Sequence, residues 1–179
     1  VKSVSALWAI ADPATAARIE RAHQAAVQDA LTFLEEHALY TRLGTNGVRQ
    51  VNVQGLVATA FTHRDSRAGD PQLHTHVVVL NRVQSAVDGQ WRTLDSRALF
   101  CAAVGMSELY NGLLADELTR DLGWGWVPQQ RARSTEPKWE VDGVGKDLRV
   151  EFSQRSSAIE RAKDDMVDAF VASHGRQPR

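Results

Sequence analysis

The chain has 179 residues, a formal net charge of −1, 43% hydrophobic and 24% charged residues, which is typical of a globular protein and argues against wholesale disorder. The near-neutral charge does not indicate a strongly basic nucleic-acid binder, although it leaves room for a local basic groove. No aliphatic run approaches the roughly 20 apolar residues of a membrane helix, so we expect no membrane span. The single cysteine, Cys101, excludes an internal disulfide and favours a reducing, cytoplasmic compartment.

A long helix is predicted over residues 12–37, because Asp12 is a favourable N-cap and Pro13 suits the first helical position. Apolar residues at three- and four-residue steps should form its buried stripe: Ile19, Ala22, Ala26, Ala30, Phe33 and Leu34. Strand-like segments follow at 39–43, 48–53, 56–63 and 72–81, with turn formers at 44–47 and 64–71. The last segment is so apolar that we expect it to be buried on both faces, at the centre of a sheet.

The second half begins with a hairpin turn at Asp88-Gly89 and a short strand at 90–94. A helix is predicted from Ser96 to Leu122, ending at Gly123. Short strands at 124–127 and 138–141 and a helix at 153–173 complete the order. We therefore expect an α/β (α+β) fold with two layers. A mainly antiparallel sheet would carry helices 12–37 and 96–122 on one face and a histidine site on the other.

Three histidines make the most specific pattern in the sequence. His74 and His76 lie two residues apart on a predicted strand, so their imidazoles share one face. His63 ends the preceding strand, and the turn-rich residues between favour an antiparallel pairing that places it beside them. Three imidazoles on adjacent strands predict a divalent metal site with an open coordination position, as in a catalytic centre.

A plainer interpretation makes these histidines polar residues of a half-exposed sheet. Two buried histidines without partners would each cost about 1–3 kcal/mol, and the otherwise apolar strand therefore favours the metal site. Neutral imidazole suits Zn, Cu, Fe and Ni, and Mn and Mg stay open because geometry and availability decide. The sequence leaves the identity of the ion undetermined.

The residues around the histidines resemble a known family. His63, Ser66-Arg67 and the run from Asp70 to His76, Asp-Pro-Gln-Leu-His-Thr-His, are similar to the three-histidine motif of TrwC/TraI-type (MobF) conjugative relaxases, members of the HUH endonuclease superfamily. Lys2-Ser3-Val4-Ser5 and Phe152-Ser153-Gln154-Arg155 resemble two further segments of that family. The likeness thus covers nearly the whole chain, which would be a single partial relaxase domain over residues 1–179.

The resemblance implies site- and strand-specific nicking of DNA at a plasmid transfer origin, through a tyrosine that becomes joined to the 5′ phosphate. His63, His74 and His76 would bind the divalent metal, and the partners would be single-stranded DNA and other relaxosome proteins. In the family the tyrosine precedes the Lys-Ser-Val-Ser segment, so we expect the nucleophile before Val1. Of the tyrosines present, Tyr40 is interpreted as a strand residue and Tyr110 as a partly buried helix residue.

Weaker candidates surround this motif. Arg67 lies on the loop between the ligand strands and is a candidate either for phosphate contact or for a local pair with Asp65 or Asp70. Lys2 and Ser3 are candidates either for phosphate contact or for a frayed terminus. Asp70 is a candidate acceptor for a ligand histidine or a simple turn residue, and Gln72 shares the histidine face by parity.

Two other functions stay open from the sequence. One is a catalytically inactive relaxase remnant that binds single-stranded DNA. The other is a three-histidine metallohydrolase, for which Asp70 is the one carboxylate with a plausible spacing. Because upstream strands of the family would be missing, we also expect an exposed sheet edge, with poor solubility or dimerisation.

Overall fold

A computed structural model describes residues 1–130 and 137–178, which form two compact units. One unit contains Ala11–His63 and His74–Trp126. The other contains Val1–Ile10, Arg64–Leu73 and the described residues that follow Trp126. Both units combine helices with antiparallel or paired strands, so the predicted α+β class is confirmed. The expectation of a single domain stays a prediction.

The elements of the described residues follow each other along the chain. Their order is α1 (Lys2–Ile10), α2 (Pro13–His37), β1 (Tyr40–Leu43), a 3-10 turn (Thr45–Gly47), β2 (Arg49–Gln54), β3 (Ala58–Asp65), β4 (Pro71–Val79), β5 (Val83–Ser85), β6 (Trp91–Arg92), α3 (Ser96–Leu122), β7 (Trp126–Gln129), β8 (Lys138–Val141), α4 (Lys146–Glu151) and α5 (Gln154–His174). Most predicted elements are present, whereas α4 was not predicted.

Helix α2 begins as its sequence predicts. The Asp12 carboxylate accepts hydrogen bonds from the backbone N–H groups of Ala14 and Thr15, at 2.9 and 3.1 Å. The predicted stripe is buried except at Phe33, which is 44% exposed, so the prediction for Phe33 is wrong. Phe33 directly precedes the buried Leu34, and neighbouring residues on a helix point about 100° apart.

The unit that contains Ala11–His63 and His74–Trp126 has a four-stranded antiparallel sheet. The order of its strands is β1-β2-β5-β6. Its buried core contains Leu34 of α2, Leu39, Val83 of β5 and Leu94. Residues of α3, among them Met106, pack against this core. Helices α2 and α3 also contact each other, which accounts for the predicted helical layer.

Strands β3 and β4 form a separate two-stranded pair. The N–H of Ser66 donates to the carbonyl of Asp70 at the turn, and the N–H of Leu80 donates to that of Val57 at the open end. These bonds show a hairpin with antiparallel strands. The expectation of a doubly buried central strand is wrong for β4, since Leu73 is its one buried residue and every residue of β3 is exposed. In the described residues β4 pairs with β3 alone.

Helix α3 is long and apolar enough to cross a membrane by length and composition alone. Its apolar residues are interspersed with small and polar ones, so the expectation of no membrane span, which rested on uninterrupted aliphatic runs, did not include this helix. Leu114 and Leu118 are buried, and the helix ends at Gly123, whose φ of 70° is favourable for glycine. Only 6% of its apolar 18-residue window is buried, and α3 contacts α2.

Candidate metal centre

Three imidazoles converge on one face of the β3–β4 hairpin. His63 of β3 and His74 of β4 have ring centroids 5.4 Å apart, and His76 lies 5.0 Å from His63 and 4.9 Å from His74. One ring nitrogen from each of the three lies within 4.8 Å of the others. His63 and His76 are exposed and His74 is half-buried, so the cluster is open to solution.

The geometry of these nitrogens fits a metal ion. Nitrogen ligands at about 2.1 Å in a tetrahedral arrangement lie roughly 3.4 Å from one another. The Nε2 atoms of His74 and His76 are 3.2 Å apart, near that separation. The donor set consists of three neutral imidazoles on one side, which leaves the opposite side for a further ligand. The residues therefore fit the predicted divalent ion.

The other face of the hairpin carries hydroxyl groups. Thr62 precedes His63 and Thr75 lies between His74 and His76, so strand alternation points both threonines away from the imidazoles. Their Oγ1 atoms are 3.0 Å apart, across the two strands. The imidazoles and the two threonine hydroxyls therefore lie on opposite faces of this hairpin.

Behind Thr75 lies a buried histidine that the motif does not include. His23 of α2 is 2% exposed, with its Nε2 atom 2.6 Å from Oγ1 of Thr75. Its Nδ1 atom is 2.6 Å from the hydroxyl of Tyr110 on α3, and the two rings meet edge to face. Both ring nitrogens thus have partners, and the three side chains connect α2, α3 and β4.

Burial sets the ionisation of this cluster. Desolvation, followed by repulsion from His74, lowers the pKa of His23 below its usual value of 6.5. Burial also raises the pKa of the Tyr110 hydroxyl to about 12. A neutral His23 and a protonated Tyr110 are therefore the stable forms near neutral pH.

Asp70 lies at the turn of the hairpin and is 5% exposed. Its carboxylate oxygens accept hydrogen bonds from the backbone N–H groups of Gln154 and Arg155, each at 3.0 Å, at the start of α5. An anion at the N-terminus of a helix is favourable because it satisfies N–H groups that have no partner within the helix. The structure gives Asp70 this capping role, and a role toward a ligand histidine stays a prediction.

Lys2 and Ser3 have different surroundings in α1. Ser3 is fully buried, donates to Oε2 of Glu140 at 2.6 Å and accepts from the N–H of Val141 at 2.8 Å. The expectation that Ser3 contacts DNA phosphate is therefore wrong, because its hydroxyl fixes α1 to β8. The Nζ of Lys2 donates to the hydroxyls of Ser153 and Ser156, at 2.9 and 3.1 Å.

Arg67 and Gln72 are both exposed, Arg67 on the hairpin turn and Gln72 on β4 two residues before His74. Their positions agree with the expected loop and face, while DNA contact stays a prediction for both. No sequence pattern assigns a role to His23, whereas Tyr110 is half-buried, as expected for a partly buried helix residue. The available signal was that His23 follows Ile19 by four residues on the buried stripe, where a histidine needs partners.

Comparisons with known proteins match this site and fold. The sequence matches the TrwC relaxase family over residues 1–179. It is 36% identical over 154 residues to the multifunctional conjugation protein TraI of Escherichia coli, and 32% identical over 155 residues to TraI of Escherichia coli strain K12. Each alignment covers 81% of this chain and 8% of the relative, so the chain spans under a tenth of these relatives.

Solved structures of the conjugative relaxase TrwC are similar over nearly the whole chain. A metal-bound complex of TrwC with oriT DNA has 31% identity and a TM-score of 0.73, covering 99% of this chain and 55% of that one. A metal-free complex with oriT DNA has 30% identity and a TM-score of 0.72, with the same coverage. With the family match over its full length, this chain belongs to the TrwC relaxase family.

Proposed function

We propose that this chain is the metal-binding part of a conjugative relaxase, which in the intact protein nicks and rejoins one DNA strand at a plasmid transfer origin through a 5′-phosphotyrosine. The observation that carries the proposal is the three-imidazole cluster on one hairpin of a TrwC relaxase family member. Related TrwC structures contain oriT DNA, in metal-bound and metal-free forms. The cytoplasm, where plasmid DNA lies, is the proposed location, and other relaxosome proteins are proposed partners.

His63, His74 and His76 would hold the ion, each through one ring nitrogen. A divalent ion bound there supplies Lewis-acid polarisation of the scissile phosphate. The three imidazoles are neutral ligands, so they leave the positive charge of the site available to an anionic phosphate. Their exposure leaves the site accessible to a DNA strand.

The nucleophile is proposed to be a tyrosine other than the two in this chain. The hydroxyl of Tyr110 is hydrogen-bonded to His23, and its raised pKa of about 12 disfavours the phenolate. The Tyr40 hydroxyl donates to the backbone carbonyl of His37 at 2.9 Å. Neither hydroxyl is positioned by the three histidines, so neither tyrosine is the proposed nucleophile.

A basic groove in the unit that contains α1 and α5 is a candidate path for the DNA backbone. Its volume is about 700 Å³. Four cations and three hydroxyls line it, together with Glu140 and Glu160: Lys2, Lys138, Lys146, Arg149, Ser153, Ser156 and Ser157. Burial, with repulsion from Lys138, lowers the pKa of Lys2. A phosphate would relieve this crowding of positive charge, and hydroxyl groups are common phosphate donors.

The nicking function is tested with labelled single-stranded oligonucleotides spanning a transfer origin and with the intact relaxase. We expect a metal-dependent protein–DNA adduct that survives a denaturing gel and is lost in His76→Ala. Binding without an adduct would make the protein the inactive remnant. Metal-dependent hydrolysis without an adduct would indicate the metallohydrolase.

The groove is tested by the salt dependence of oligonucleotide binding. Lys2→Ala and Lys146→Ala should each weaken binding and reduce the slope of log affinity against log salt by about 0.7, as expected for one lost phosphate contact on a single strand. Arg120→Ala on α3 is the control, because Arg120 pairs with Asp116 at 2.9 Å and neither residue lines the groove. Equal slopes in all variants would contradict a DNA path through this groove.

A further inference from the structure

Thr75 lies between two of the candidate metal ligands on strand β4 of the β3–β4 hairpin. It is the one residue between the ligands His74 and His76, and strand alternation directs its side chain to the opposite face. Any rotation or sliding of the backbone at Thr75 moves both neighbouring imidazoles. The partners of its hydroxyl therefore bear directly on the geometry of the site.

Those partners are held by helices. His23 lies in the middle of α2 and Tyr110 in the middle of α3, and α2 and α3 pack against each other. The two contacts of His23, to Oγ1 of Thr75 and to the Tyr110 hydroxyl, are both 2.6 Å. Strand β3 is exposed along its length and β4 has one buried residue, so few apolar contacts otherwise fix this hairpin.

The hydrogen bonds can be satisfied in one consistent direction. The Tyr110 hydroxyl donates to Nδ1 of His23, whose Nε2–H donates to Oγ1 of Thr75. The Thr75 hydroxyl then donates to Oγ1 of Thr62, 3.0 Å away on the other strand. This direction uses the neutral tautomer of His23 with its proton on Nε2. The reverse direction, with the proton on Nδ1, makes the same contacts, and a neutral ring agrees with the lowered pKa of His23.

We propose that His23, held by Tyr110, is a positioning residue that fixes Thr75 from behind and thereby orients His74 and His76 for metal binding. This inference rests on the proposed metal site and adds residues that lie outside the histidine motif. The same bonds join Thr75 to Thr62, which neighbours the third ligand, His63. All three ligand positions are therefore connected, through Thr62 and Thr75, to the buried His23.

The test compares isosteric substitutions at two hydroxyls. Thr75→Val removes the hydroxyl and keeps shape and strand preference, while Thr75→Ser restores the hydroxyl. Thr41→Val is the matched control, because Thr41 is 1% exposed and donates to the carbonyl of Thr93 at 2.8 Å, on β1 rather than on the hairpin. Co²⁺ is the probe, read by calorimetry and by its visible absorption spectrum.

We expect Thr75→Val to weaken Co²⁺ binding about tenfold, the lower end of the effect of residues that orient metal ligands, and to alter the absorption spectrum. Thr75→Ser and Thr41→Val should keep the affinity and spectrum of the unmodified protein. Equal affinities for Thr75→Val and Thr41→Val would overturn the proposal. An equal loss in Thr75→Ser would also overturn it, because the methyl group rather than the hydroxyl would then matter.

Hydrogen exchange of the metal-free protein tests the anchoring of Thr75 independently of metal binding. The amide hydrogens of β4 should exchange faster in Thr75→Val than in Thr41→Val. Failure of the unmodified protein to bind Co²⁺ would refute the proposed metal function, while exchange would still show whether Thr75 is anchored. Equal exchange rates in both variants would refute the anchor even if the metal binds.

Discussion

The two faces of the β3–β4 hairpin differ in their exposure to solvent and in their hydrogen-bond partners. On one face His63 and His76 are exposed, their ring nitrogens turned toward one another and toward solution. On the other face Thr75 contacts His23, which is 2% exposed and has partners on both ring nitrogens. One face is suited to bind a ligand from outside, and the other is satisfied within the protein.

This difference shows how a weakly buried hairpin can hold a site that needs accurate geometry. The imidazoles of the exposed face gain little from protein contacts, so substituting them should change binding far more than stability. The face that carries Thr75 forms hydrogen bonds toward the buried His23, so changes there should affect stability first and metal binding through it. Variants on each side of the hairpin should therefore separate effects on stability from effects on metal binding.

The largest effect on stability is expected for His23→Leu. The substitution leaves the Tyr110 hydroxyl and the Thr75 hydroxyl without their buried partner, which should lower the free energy of unfolding by about 2–3 kcal/mol. Urea denaturation measures the change. His37→Leu on the same helix is the control, since His37 is exposed and should be nearly neutral. Equal losses in the two variants would contradict a structural role for His23 and its contacts.

Asp70→Ala tests the turn that joins the two strands. Loss of the carboxylate removes two hydrogen bonds to the start of α5 and should cost about 1–2 kcal/mol of stability, as for other helix caps. Asp65→Ala, an exposed change at the end of β3, should cost far less. If Asp70 acts only as a cap, the metal affinity should stay unchanged. A fall in metal affinity with unchanged stability would indicate that Asp70 accepts a hydrogen bond from a ligand histidine.

Tyr110→Phe should cost about 1 kcal/mol, the usual contribution of one hydrogen bond. Because burial raises the pKa of Tyr110 to about 12, the hydroxyl should still be protonated at pH 11. Ultraviolet difference spectra between the unmodified protein and Tyr110→Phe measure this ionisation. A tyrosinate signal from Tyr110 near pH 10 would show that the hydroxyl is not buried as described.

The smallest effect is a pH dependence that comes from His23. Its pKa in the folded protein is below the usual 6.5, so below that pH the unfolded chain binds a proton that the folded protein does not. Stability should therefore fall as the pH is lowered from about 6.5. His23→Gln should have a shallower slope, although His74 and Glu20 also influence this group. Identical slopes in both proteins would contradict a neutral, buried His23.

The histidine site could be predicted from the sequence because its signal is local. His63, His74 and His76 lie within one hairpin, and strand alternation alone places them together. The helices α2 and α3 were equally predictable, since Asp12 and Gly123 mark a beginning and an end by their own backbone chemistry.

The buried network could not be predicted in the same way. His23, Thr75 and Tyr110 come from three elements that are far apart along the chain, and their contact depends on how α2, α3 and β4 pack. The burial of β4 was also misjudged, because an apolar run shows preference for a strand but not how many neighbours cover it. Likewise, nothing local indicated that Ser3 is buried on Glu140.

The central claim is that His63, His74 and His76 form one metal site, and calorimetric titration of a divalent ion tests it most directly. We predict one ion per chain, with binding at least tenfold weaker in His74→Ala and in His76→Ala and with little change in unfolding free energy. His174→Ala, which alters an exposed histidine on α5, should bind as the unmodified protein does. Unchanged affinity in either His74→Ala or His76→Ala would contradict the metal site.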